Sequence, residues 1–242
     1  VAITRMIYPH PAFTPEEDAE RKERLNDTRV AQPALGVVEA FGTQLLEKFG
    51  IGPGAVAGHS YGEYVALYAA GSLKLDDLLT VSAHRGQVAA ASSETCPGAM
   101  AAVSAGAEAT RRFIDKHKLG VELANLNAPD QTIIAGAEDR VANAVAQFNA
   151  HDLRAKRIPV TAAFHTPLLE TAAQPLSVVL KNTKFVAPNL PVYSNTLATR
   201  YPQKPAEIRK LLQRHIVEPV RFEDQMRKMR EDGYSVFIEV GP

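Results

Sequence analysis

The pentapeptide Gly58-His59-Ser60-Tyr61-Gly62 constrains this chain more than any other stretch of it. It stands between a short apolar run, Ala55-Val56-Ala57, and an amphipathic run from Glu63 to Ala70, so Gly-x-Ser-x-Gly falls where a strand reverses sharply into a helix. Glycines flank the serine where side chains would clash, and the turn holds the serine Oγ away from the backbone. The helix that follows brings its N-terminal amides and dipole to the same point, which stabilises negative charge developing beside Ser60. Glu63 suits that first turn. The pattern predicts covalent acyl chemistry on Ser60; an ordinary turn carrying the same residues is the alternative, and the strand and helix context argues against it.

A chain of 242 residues, 45% hydrophobic and 22% charged, is long enough for one large core or two smaller ones and reads as globular. Its net charge is zero, so no global field draws it to nucleic acid or to an anionic membrane, and recognition of an anion must be local. The lone cysteine, Cys96, excludes an intrachain disulfide and suits a reducing compartment. With no signal peptide and no apolar run of bilayer-spanning length, a cytoplasmic location is expected. The histidines and the cysteine lack ligand spacing, so no metal is expected.

Along the chain, Tyr8-Pro9-His10-Pro11 reads as a loop, and Thr14-Pro15 caps a short charged helix over Glu16 to Arg24. Leu35, Val38, Phe41, Leu45 and Phe49 recur at helical steps between Pro33 and the stop at Gly50, which predicts a helix resting on a core. Beyond Gly71 a further helix is predicted from about Asp76 to Ala91, carrying Arg85 and ended by Pro97-Gly98. From Met100 to Val160 the pattern becomes strand 101–104, helix 108–117, strand 121–125, strand 132–135, helix 140–148 and strand 156–160. That β-α-β-β-α-β order makes a ferredoxin-like unit, with Asn127-Ala128-Pro129-Asp130 turning between its middle strands. The expectation is therefore an α/β fold in which a large α/β-hydrolase-like subdomain (1–97 and 161–242) with a parallel sheet receives an inserted small subdomain (98–160). After the insert, a helix following Pro167, an extended Pro191 to Ser194, helices near 208–215 and 222–230, and a final apolar strand Val236 to Val240 complete the reading.

Ser60 needs a base, and seven histidines are available. His10, His117, His151 and His215 occur in polar or helix-end contexts that fit solvated surface positions. His84 sits beside Arg85 on a helix. His59 neighbours the nucleophile, but adjacent residues on a strand point to opposite faces, which leaves it a packing or supporting role. His165 lies in a short apolar loop, Ala162-Ala163-Phe164-His165-Thr166-Pro167, between a buried strand and a helix start, where catalytic bases commonly sit. On the residues alone it is either the base or a packed loop histidine.

Taken together, Gly58-His59-Ser60-Tyr61-Gly62-Glu63, His84-Arg85-Gly86-Gln87, Pro97-Gly98-Ala99-Met100 and Ala163-Phe164-His165-Thr166-Pro167 resemble, in order and spacing, the acyltransferases that load malonyl units onto acyl carrier proteins. Thr28 with Ala31-Gln32-Pro33-Ala34-Leu35, Asn127 with Gln131, Glu218-Pro219-Val220-Arg221-Phe222 and Glu239-Val240-Gly241-Pro242 extend the resemblance over most of the chain. Gln-Pro-Ala-Leu and Pro-Val-Arg-Phe are closer to the acyltransferase domains of polyketide synthases, among them iterative synthases of the enediyne type. The resemblance implies that Ser60 attacks the thioester of malonyl-CoA, that His165 is its base, and that the Tyr61 backbone N–H is an oxyanion donor. It further implies that a backbone carbonyl near Val220-Arg221, rather than an acid, orients the histidine. Arg85 matches the arginine that pairs with the malonyl carboxylate, a role suited to a guanidinium fork and not to lysine. Phe164 before the histidine goes with malonyl over methylmalonyl, a preference worth about 1 to 3 kcal/mol for one methyl. His59 and Asn127 complete the implied substrate contacts. No permanently bound cofactor is implied. The implied partners are an acyl carrier protein with its phosphopantetheine arm and neighbouring synthase domains, with Arg111, Arg112, Arg154, Lys156 and Arg157 as candidate contacts to CoA phosphates or an acidic carrier.

The family pattern opens on an apolar strand and a Gly-Gln-Gly loop whose glutamine supplies a second oxyanion donor, and these residues do not contain it. Losing one such donor typically costs a hundred- to a thousandfold in rate, about 10² to 10³. The 242 residues are accordingly expected to be an excerpt of a longer chain. Two other readings stay open: a serine esterase or thioesterase using Asp130 or Asp139 as its acid, which leaves Arg85 without a purpose, and a catalytically silent docking domain.

Overall fold

The computed structural model describes residues 3–160 and 162–241. Helix α1 (Ile3–Ile7), not anticipated from the sequence, precedes the loop predicted at Tyr8-Pro9-His10-Pro11. Helix α2 (Pro15–Asn26) starts as its sequence dictates: Thr14 Oγ1 accepts the Glu17 N–H at 3.2 Å, Pro15 stands in the first turn, and Glu16, Glu17 and Asp18 face the positive end of the dipole. Helix α3 (Thr28–Lys48) begins earlier than its apolar periodicity indicates, because Asp27 caps it by accepting the Arg29 N–H at 2.9 Å. Its inward face also differs from the expected stripe. Ala34, Gly36 and Ala40 are buried, whereas Phe41 and Phe49 remain 63% and 74% exposed. The reason is close approach: a Cβ on Gly36 would overlap the Tyr61 hydroxyl, so the small residues have to face inward.

Strand β1 (Val56–Ala57) leads through the elbow into α4 (Gly62–Ala69), followed by α5 (Leu75–Thr95). The chain then forms β2 (Gly98–Val103), α6 (Ala107–His117), β3 (Glu122–Ala128), β4 (Gln131–Ala137), α7 (Glu138–Ala150) and β5 (Ala155–Arg157). These four strands make an antiparallel sheet in the order β3-β4-β2-β5, the arrangement of a ferredoxin-like unit, with Pro129-Asp130 closing the β3–β4 hairpin. A 3₁₀ turn (Pro167–Leu169) introduces α8 (Glu170–Asn182), after which β6 (Val192–Ser194), β7 (Thr199–Arg200), α9 (Pro205–His215) and α10 (Phe222–Glu231) complete the elements. Among the described strands only β1 and β6 pair in parallel; β7 joins β6 antiparallel. The predicted strand at Val236–Val240 is absent: the segment forms no ladder among the described residues, and Val236 is 80% exposed. An apolar β-prone sequence becomes a strand only when a neighbour supplies hydrogen bonds, and none is placed there.

One core gathers Tyr64, Leu67, Leu78, Val81, Leu176, Leu180, Ile208 and Leu212 from α4, α5, α8 and α9. A second lies between the antiparallel sheet and its helices, around Val103, Ile114, Leu123, Ile134, Val141 and Phe148. The other face of that sheet carries Met100, Ala124, Ile133 and Ala135, which pack on Ala163. Gly98 allows this contact, because a Cβ there would strike the Ala163 backbone at 2.8 Å. The sheet thus supports the loop that carries His165. Its edge strand β3 also grips the chain beyond α9: the Val220 N–H donates to Ala124 O and the Leu126 N–H to Val220 O, both at 2.8 Å.

Candidate active site

Of the two glycines expected to relieve clashes at the elbow, only Gly58 does so; a Cβ on Gly62 would meet open space. A Cβ on Gly58 would overlap the backbone of Gly62, and Ser60 is held at φ +51°. His165 has φ +62°. A non-glycine residue in such a conformation costs about 1–3 kcal/mol and persists only where its surroundings over-determine it. The two strained residues meet: Ser60 Oγ lies 2.7 Å from His165 Nε2. The His165 ring is buried, and its Nδ1–H donates to the carbonyls of His215 at 2.9 Å and Glu218 at 3.0 Å. With Nδ1 carrying the proton, Nε2 presents its lone pair to the serine hydroxyl.

These carbonyls are not those expected at Val220 and Arg221. The Val220 carbonyl is taken by Leu126 on the sheet edge, and the Arg221 N–H bonds to Asn195 O at 3.1 Å. The His165 backbone N–H, moreover, donates to Ile216 O at 3.0 Å. His215 O and Ile216 O belong to the end of α9, where a helix leaves its last carbonyls without intrahelical partners, and Glu218 follows one turn later. A helix C-terminus, with its partial negative charge, therefore faces the imidazole that gains a proton during catalysis. His215, expected at the surface, is fully buried with its ring centroid 5.2 Å from that of His165.

Beside the dyad, Ser60, Tyr61, Arg85, Phe164 and Gln32 line a cleft of about 280 Å³. Arg85 is 1% exposed, and its Nε and Nη2 have no hydrogen-bond partner among the described residues. Its guanidinium lies over the rings of Tyr64 at 5.6 Å, Phe164 at 5.7 Å and Tyr61 at 6.0 Å. A larger cavity of about 350 Å³ between α5 and α8 is lined by Gln87, Ser92, Thr95, Thr171 and apolar groups, without an ionisable side chain. The Tyr61 N–H, at the start of α4, meets no acceptor among the described residues. His59 and Asn127 are brought to each other, Nε2 to Oδ1 at 2.8 Å, and neither is among the residues lining the cleft. Of the candidate partner contacts, Arg111, Arg112 and Arg157 already pair with Glu122, Glu108 and Glu138. Among the described residues no cluster of metal ligands occurs, and no helix is long and apolar enough to cross a membrane.

Comparison with known proteins gives this geometry its family. The family model described as acyl transferase domain matches residues 14–242. The chain belongs to that family. This acyl transferase domain is 37% identical over 226 residues to the malonyl CoA-acyl carrier protein transacylase of Bacillus subtilis (strain 168), covering 91% of the chain and 71% of that protein. It is 35% identical over 230 residues to the polyketide synthase GfsA of Streptomyces halstedii, covering 94% of the chain and 3% of that synthase. Among solved structures, a type II polyketide synthase acyl-carrier protein in complex with its malonyl-transacylase is similar, with TM-score 0.85, 31% identity, and 91% of this chain and 73% of that chain covered. The acyltransferase domain of the iterative polyketide synthase in enediyne biosynthesis is similar with TM-score 0.77 and 28% identity, over 83% of this chain and 53% of that chain.

Electrostatics in this acyl transferase domain favour a neutral base. Burial, and then the nearby Arg85 charge, push the His165 imidazole down to about 3, against the opposing pull of the His215 and Glu218 carbonyls. Protonation would remove the Nε2 lone pair, and a lowered pKa postpones that loss to strongly acid pH. The acylation rate of Ser60 is therefore expected to stay level from pH 8 to pH 5 in single-turnover measurements. A fall centred near the ordinary histidine value, about 6.5, would contradict this.

Sequence reasoning missed the groups behind the elbow. Glu63, read as a dipole partner, is fully buried; burial pushes its carboxyl up to about 8, and its oxygens accept from Tyr201 Oη and the Asn195 N–H. Asn195 and Gln225 are also fully buried and polar. The apolar stretch before Asn195 marked its strand, but no spacing connected it to Ser60.

Proposed function

We propose that this domain transfers a malonyl group from malonyl-CoA to the phosphopantetheine thiol of an acyl carrier protein within a polyketide synthase. The observation that carries the reading is Arg85: a buried guanidinium with unpartnered nitrogens, in the same cleft as an oriented Ser60–His165 pair. A buried cation without a partner is costly, and a carboxylate on the acyl group supplies two parallel hydrogen bonds to it. Ser60 Oγ attacks the thioester carbon while its proton passes to His165 Nε2. The carbon–sulfur bond then breaks, and the CoA sulfur leaves with that proton. In the second half, Nε2 takes the proton of the carrier thiol, the sulfur attacks the seryl ester carbon, the bond from that carbon to Ser60 Oγ breaks, and Oγ recovers the proton from His165. Tyr61 N–H, unengaged at the head of α4, suits the oxyanion of both tetrahedral intermediates. Phe164, with its ring against Arg85, narrows the space beside the acyl α-carbon. The division into 1–97 with 161–242 and 98–160 belongs to the same proposal: each part has its own core, and the cleft takes Pro159, Val160 and Phe164 from their junction.

Intact-protein mass spectrometry after incubation with malonyl-, methylmalonyl- and acetyl-CoA tests the reading. A persistent malonyl adduct that is absent in Ser60→Ala and passes to an added carrier protein is expected. Rapid release of free acid with equal use of acetyl-CoA would make the protein a hydrolase, and no adduct at all would favour a docking role.

A further inference from the structure

One residue outside the Ser60–His165 pair is bonded to both of the segments that hold it. Asn195 follows β6 and is fully buried. Its Oδ1 accepts the Ser60 N–H at 2.7 Å. Its Nδ2 donates to Gly58 O at 2.8 Å and to Gln225 Oε1. The backbone completes the set: the Asn195 N–H donates to Glu63 Oε1, and Asn195 O accepts the Arg221 N–H at 3.1 Å. Glu63 lies in the first turn of α4, and Arg221 ends the segment whose His215 and Glu218 carbonyls hold His165.

We propose that Asn195 is the positioning residue of this site, fixing Ser60 Oγ against His165 Nε2 by tying the elbow to the segment that orients the histidine. An amide is the side chain the place demands. It must accept from one buried N–H and donate to two acceptors at once, and only one orientation of the amide satisfies all three. A carboxylate brings acceptors alone, and an apolar isostere leaves the Ser60 N–H unpaired in the interior and Gly58 O with only the long contact from Gln225 Nε2 at 3.5 Å. Ser60 occupies a left-handed conformation that must be enforced from outside, and the hydrogen bonds of the two peptide units that lead into it, at Gly58 O and Ser60 N–H, converge on this one side chain.

The inference rests on the Ser60–His165 reading but not on the identity of the acyl group, so its test uses a fluorophosphonate as well as malonyl-CoA. With that probe the Ser60 Oγ–phosphorus bond forms, the serine proton goes to His165 Nε2, and the phosphorus–fluorine bond breaks to release fluoride. In Asn195→Ala the labelling rate and the saturating malonylation rate should both fall by about a hundredfold, with KM for malonyl-CoA little changed, in protein that circular dichroism reports as folded. Asn195→Asp keeps the acceptor and regains a donor towards Gly58 O only when its carboxyl is protonated. Its labelling rate as a fraction of the unsubstituted protein's should rise as the pH is lowered from 8 to 5, a trend that also decides the matter if the alanine variant does not fold. Labelling of folded Asn195→Ala within about threefold of the unsubstituted protein, or a flat pH trend for the aspartate, would overturn the proposal. Failure of the unsubstituted protein to label overturns the dyad reading and this inference with it. Labelling without malonylation, lost in Asn195→Ala, would overturn malonyl as the substrate and leave the role of Asn195 standing.

Discussion

Replacing His165 by alanine is expected to slow acylation of Ser60 by roughly 10³- to 10⁴-fold while the protein remains folded. The serine hydroxyl would lose the acceptor 2.7 Å away, and among the described residues no other side chain is bonded to it. His59, although adjacent in sequence, is engaged with Asn127. The fold should survive because His165 contributes no large apolar surface, and its two carbonyl partners lie at a helix end that water can satisfy once the ring is gone. His165→Asn, whose side chain tolerates the left-handed backbone at φ +62°, should lose activity to the same degree and guards against a folding artefact. Single-turnover acylation followed by intact mass, with thermal melting alongside, checks both. Unchanged acylation in either variant would remove His165 as the base.

The second large effect concerns Arg85. Arg85→Ala should lower kcat/KM for malonyl-CoA by roughly 10²- to 10³-fold, within the 2–5 kcal/mol that loss of one partner in a buried, hydrogen-bonded charge pair costs. Acetyl-CoA has no carboxylate to lose, so its slower reaction should hardly change, and the preference between the two acyl groups should collapse. Arg85→Lys should restore little, since a point charge cannot form the two parallel bonds of the guanidinium fork. Fluorophosphonate labelling of Ser60 should stay near the unsubstituted rate, showing that the loss lies in acyl recognition and not in the dyad. Competition between the two thioesters, read by adduct mass, measures the ratio, and a ratio that stays fixed would exclude Arg85 from acyl recognition.

The sequence was legible wherever a short stretch decides its own conformation. Gly58 announces the elbow because a side chain there would run into the backbone of Gly62 and Glu63, whereas a Cβ on Gly62 would meet open space. Thr14-Pro15 announces α2 because a hydroxyl and a fixed φ meet the needs of a helix start. It was less legible for α3, where the larger apolar residues Phe41 and Phe49 outweigh Ala34, Gly36 and Ala40 in any periodicity, although the small residues are the ones that pack. The same limit applies at Val236–Val240, whose strand propensity finds no ladder.

For the site, the sequence by itself determined the chemical types and their local settings: a serine on an elbow, a histidine in an apolar loop, an arginine on the helix beyond. Those follow from steric and periodic rules that act over a few residues. Only the tertiary structure decided which groups serve them. The carbonyl of His215 reaches His165 across 50 residues, and the Asn195 side chain reaches Ser60 across 135. A hydrogen bond depends on where two elements meet in space, and over such separations the chain carries no period that records it. The elbow could therefore be read from its own residues, whereas the alignment of its serine with the base came from α9, β6 and the edge of the antiparallel sheet.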